Sequence, residues 1–153
     1  MKRSQILVLP LLLLTTMAPA LAQEASTGDW RQVQSPFQEE FAYAVGDDLR
    51  PGVEIDGLRW LRLNLATKGD REIQAGEDTP MILTMEFENR AESSREARII
   101  LLLEDADGRP LERLTLDDVK VGGGRVEEDR QKLKINGDAL LNLSELYIFC
   151  EVE

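Results

Sequence analysis

The stretch "MILTMEFEN", Met81 to Asn89, decides the fold. Met81, Leu83, Met85 and Phe87 occupy every second position, and Thr84, Glu86 and Glu88 fall between them. Successive side chains of an extended backbone point to opposite faces, so this spacing gives one buried face and one wet face. The stretch therefore reads as a half-buried strand. Met81 and Met85, four residues apart, belong to its core side and not to a thioether site for copper.

The same reading extends in both directions. In "LRWLRLNLA", Leu58 to Ala66, the apolar parity changes between Trp60 and Leu61, and one extra residue at that point, a β-bulge, would restore a single buried face. "ARIILLLED", Ala97 to Asp105, is apolar on both parities, which predicts a central strand covered on both sides. Leu111 to Leu116 alternates again, Val119 and Val121 follow, and Leu133 pairs with Ile135. "NGDALLNLSEL", Asn136 to Leu146, is the one helical segment, a crossover with Asp138 as its cap. A last strand runs from Tyr147 to Val152 and sets Ile148, Cys150 and Val152 on one parity. Short strands with turns between them predict an all-β fold: an antiparallel, immunoglobulin-like β-sandwich of six to seven strands with one short helical crossover.

The turn "EDADGRP", Glu104 to Pro110, raises the question of calcium. An EF-hand loop needs oxygen ligands at positions 1, 3 and 5, glycine at 6 and an acid at 12. With Gly108 at position 6, Asp105 and Asp107 fit, but Leu103 and Leu114 stand at positions 1 and 12. Asp107-Gly108 between two strand patterns predicts a hairpin turn instead. A looser cation site using Glu104, Asp105 and Asp107 is the alternative that the acids leave open. "GGGR", Gly122 to Arg125, lacks the Lys-Ser/Thr of a phosphate loop and reads as a flexible hairpin loop. The charged run Arg125 to Lys134 reads as a solvated strand or loop.

The run "LTMEFENRAESSREARIILLLEDADGRPLE" resembles small exported bacterial domains of the FxLYD type and similar immunoglobulin-like modules. In these, a strand ending in asparagine meets a polar turn, a second strand ends in aspartate, and an aspartate-glycine turn follows. Asn89, Asp105, Asp107 and Gly108 occupy those places. The resemblance implies the sandwich fold and a noncatalytic role, and it carries no active site.

The ends and the composition bound the role. Lys2 and Arg3, the apolar run Ile6 to Leu14 and the small residues Ala20 and Ala22 predict a signal peptide over residues 1–22, cleaved before Gln23. Secretion or a periplasmic location follows as the expectation, with no membrane insertion after cleavage. The 153 residues carry 18 basic and 29 acidic side chains, a formal charge of −11. That field repels nucleic acid and anionic lipid. Absence of histidine excludes Ser-His-Asp and Cys-His catalysis and imidazole-based zinc sites. Cys150 is the single cysteine, so no disulfide forms within the chain, and its parity predicts an inert buried thiol. The expectation is a noncatalytic binding or assembly module without a cofactor, whose partner is another exported or envelope protein. A cation-responsive module is the alternative, and a carboxylate-dependent hydrolase is the least favoured one. Residues 23–51 read as an irregular, partly docked lead segment before the sandwich at 52–153. Trp30, Phe37 and Phe41 within it are the candidate partner contacts, with Trp60 assigned to the core.

Overall fold

A computed structural model of the protein describes residues 30–69 and 71–153. The expected signal peptide lies outside the described residues. Eleven strands and one helix follow in chain order: β1 (Arg31–Val33), β2 (Phe37–Ala42), β3 (Asp48–Leu49), β4 (Val53–Ile55), β5 (Leu58–Thr67) and β6 (Asp78–Asn89). Then come β7 (Arg95–Glu104), β8 (Pro110–Thr115), β9 (Val119–Val121), β10 (Val126–Asn136), α1 (Gly137–Asn142) and β11 (Glu145–Val152). They form two sheets. One has the order β1-β4-β5-β6-β10 with β3 added against β5, and the other the order β2-β11-β7-β8 with β9 added against β7. Every pairing is antiparallel except that of β1 with β4.

The all-β sandwich is therefore the fold, with eleven strands where six or seven were expected. The surplus comes from short pieces such as β1, β3, β4 and β9, whose two or three residues are too few to show a period. Met81, Leu83, Met85 and Phe87 are buried as their alternation requires, and they meet Ile99, Leu101 and Leu103 of β7 and Ile148 and Cys150 of β11 in one core. Thr84 is the exception on β6, an outward-parity residue that is nonetheless buried. The bulge is where the parity change puts it: Trp60 pairs with Phe87 and Arg62 with Glu86, leaving Leu61 as the extra residue. Leu58, Trp60, Leu63 and Leu65 consequently all reach the core. Trp60 packs on Phe87 with ring centroids 5.0 Å apart, and its indole N–H donates to the Arg62 carbonyl at 3.0 Å.

Several expectations are corrected. Residues 31–51 are integral to the sandwich: β2 pairs with β11 along its whole length, and Tyr43 is buried, its hydroxyl accepting from the Leu65 N–H at 2.7 Å. The sandwich thus begins at β1, upstream of the expected boundary at residue 52. The cap of α1 is Asn136, whose side-chain oxygen accepts from the Asp138 N–H at 2.8 Å. Asp138 instead reaches back to the Gly76 N–H at 3.2 Å. The Gly122–Gly124 segment is packed and not a free loop. A Cβ on Gly123 would lie 2.0 Å from the Glu92 carbonyl oxygen, and the Gly124 N–H donates to the Ala91 carbonyl. Finally, β7 is covered on one side only, since Ile100 and Leu102 remain half-exposed on its outer face.

The acidic turn closes as a hairpin. The Asp105 N–H donates to the Arg109 carbonyl and the Gly108 N–H to the Asp105 carbonyl, both at 3.0 Å, with Gly108 at a φ of 72°. Among the described residues no helix is long and apolar enough to cross a membrane.

Candidate interaction face

The outer face of the β2-β11-β7-β8 sheet gathers what the sequence left unassigned. Strand register sets opposite residues side by side on one face, about 5 Å apart. Tyr147 of β11 lies opposite Leu102 of β7, and Phe149 lies opposite Ile100. These four half-buried side chains form an apolar platform along a shallow concavity of about 350 Å³, with Arg113 at its side. Arg113 stands opposite Leu102 on β8, is exposed, and makes no ion pair among the described residues. On the β2 side the Tyr147 hydroxyl donates to the Gln38 side-chain oxygen at 2.7 Å, which fixes the phenol ring.

The two ends of the platform differ. At one end Arg98 bridges Glu151 at 3.3 Å and Asp118 at 3.7 Å, so those acids already have a cation. At the other, Glu145 lies directly opposite Glu104, and Glu40 of β2 closes the group, its register partner being Tyr147. One carboxylate oxygen from each of Glu40, Glu104 and Glu145 falls within 4.8 Å of the others. None of the three is in an ion pair among the described residues. The hydrogen bond with Glu40 is the first cause that holds the Glu145 carboxyl above its ordinary range; desolvation and the charges of Glu40, Glu104 and Asp105 push the same way. Like charges this close favour the protonated form.

The candidate residues fall in separate places. Phe37 is 5% exposed and points into the core from β2, which removes it as a partner contact. Phe41 also packs half-buried against the core. Trp30 lies on the other sheet, where the Arg59 guanidinium stacks 5.1 Å from its ring centroid while bridging Glu54 at 2.7 Å and Glu88 at 3.1 Å. The three aromatics do not converge. Glu104 joins Glu40 and Glu145 rather than Asp107. Asp105 is occupied within the turn: its carboxylate accepts from the Asp107 and Arg109 N–H groups at 2.9 Å, and the bond from Arg109 is the main cause holding it below the usual carboxylate range. Asp107 is exposed, 3.9 Å from Arg109. Cys150 is fully buried, and burial pushes its thiol up to about 12. The platform occupies the outer parity of "IILLLE" and "ELYIFCE", where apolar residues stand in the places that a wet face would give to polar ones.

No known protein-family model matches the chain, and a search of curated proteins returns no significant match.

Proposed function

We propose that the protein is a noncatalytic binding module of the exported space, and that its contact face is the outer surface of the β2-β11-β7-β8 sheet. The observation that carries this reading is the platform of Ile100, Leu102, Tyr147 and Phe149, contiguous across two adjacent strands on the side of the sheet away from the core. Single exposed apolar residues are ordinary, whereas a contiguous patch rimmed by charge is the mark of an interaction site. Aromatic and arginine side chains at its centre and edge are the residue types that dominate binding energy at protein contacts. The occupant is a segment of another exported protein, in keeping with the leader-like residues 1–22 and with a charge that repels nucleic acid and anionic lipid. A cation-responsive role is the weaker reading. With one oxygen from each, the three carboxylates supply half or less of the six to eight oxygens that calcium takes.

The test is affinity capture from the native host's exported fraction with three baits: the chain from Gln23 onward, its Leu102→Ser/Phe149→Ser variant, and Lys132→Ser on the opposite sheet as control. A partner held by the first and third baits and lost by the second supports the reading. A partner held equally by all three places the contact elsewhere and overturns it, as does a capture in which nothing depends on the bait.

A further inference from the structure

Resting on that reading, we infer that the platform receives an amphipathic helix of the partner with an apolar stripe and a lysine or arginine at the end that meets Glu40, Glu104 and Glu145. A sheet face offers no backbone donors or acceptors to a ligand, because its own N–H and C=O groups are spent in the ladder between β2, β11, β7 and β8. An occupant that covers this face must therefore satisfy its own backbone bonds, which a helix does and an extended segment does not.

The dimensions suit such an element. From Glu145 to Phe149 is four residues, about 13 Å of strand. That length matches about nine residues of helix, so apolar side chains at i and i+3 or i+4 would lie over Phe149 with Ile100 and then Tyr147 with Leu102, and a basic one at i+7 or i+8 would reach Glu145. Charge sets the direction. At the Arg98 end both acids are already bridged, whereas the carboxylate trio has no cation among the described residues and its crowding holds the Glu145 carboxyl above the ordinary range. A basic side chain of the partner removes that crowding. Arg113, beside Leu102 and in no ion pair among the described residues, disfavours a second basic residue at mid-helix and accepts an acidic one.

The experiment measures binding of designed helical peptides to the chain from Gln23 onward, which retains every described residue. The peptides share one leucine stripe and carry two lysines, two glutamines or two glutamates one turn beyond it. The protein is used as wild type, as Glu40→Gln/Glu104→Gln/Glu145→Gln, and as Leu102→Ser/Phe149→Ser, each checked for an unchanged circular-dichroism spectrum. The expected result is tenfold or more preference for lysine over glutamate, abolished in the triple variant, with all binding lost in the serine variant. Binding lost in the serine variant but equal for lysine and glutamate peptides overturns the helix-polarity inference and leaves the contact face standing. No binding by any peptide, or binding that the serine variant keeps, overturns the inference together with its face.

Discussion

Asn89 shows how one side chain can hold a turn and a distant loop together. It is 1% exposed, and its amide nitrogen donates to the Ser93 and Val121 carbonyls while its oxygen accepts from the Ala91 N–H, all at 2.9 Å. Asn89→Ala would leave these groups without partners in a dry place, at a cost of about 2–4 kcal/mol; urea unfolding should show a lowered midpoint with an unchanged slope. Glu145 acts in the opposite sense. Because its folded pKa lies above the unfolded value, its contribution to stability is full below about pH 4.5 and is lost as the pH rises through the folded pKa. Glu145→Gln should therefore raise the melting temperature at pH 7 and flatten its fall as the pH rises above about 4.5. An unchanged pH profile would show that the crowding at Glu40 is relieved in some other way.

Among elements, long strands were legible and short ones were not. Met81 to Asn89 gives enough alternation to fix both strand and face, and the parity change at Trp60 located a bulge. The β4–β5 hairpin was also open to reading, since Asp56-Gly57 is a strong two-residue turn signal, and both residues take positive φ, 47° and 88°. β2 read only as part of an irregular, partly docked segment because Gln38, Glu39 and Glu40 dilute its apolar residues, and its strand character comes from its partner β11. The platform was misassigned for a physical reason: a strand apolar on both parities looks the same whether its second face meets a layer of the same chain or waits for another molecule. Deleting residues 30–42 should accordingly unfold the protein rather than trim a tail, giving a circular-dichroism spectrum without a cooperative melt. Gly123→Ala tests the packed turn. Its new methyl must displace the Glu92 carbonyl, so the melting temperature should fall by several degrees, while alanine at Gly122, whose nearest neighbour at 3.0 Å is the flexible Arg125 side chain, does less harm.

For the whole molecule, charge and topology set the terms. The acidic excess pushes the surface apart at low ionic strength, so sodium chloride from about 10 to 200 mM should raise the melting temperature as the Debye length shrinks from roughly 30 to 7 Å. A flat response would mean that the eleven ion pairs among the described residues already balance the field locally.

The position of β11 between β2 and β7 has a further consequence, in time rather than in space. β11 is the last described strand in the chain, yet it alone joins the earliest strand of its sheet to the remainder. At a synthesis rate of about 5–20 residues per second, the roughly 100 residues between β2 and β11 take some 5–20 s to appear. Throughout that interval β2 lacks the strand it pairs with. The β2-β11-β7-β8 sheet therefore stays in two pieces until β11 emerges, while β5 with β6 and β7 with β8 are free to pair before then.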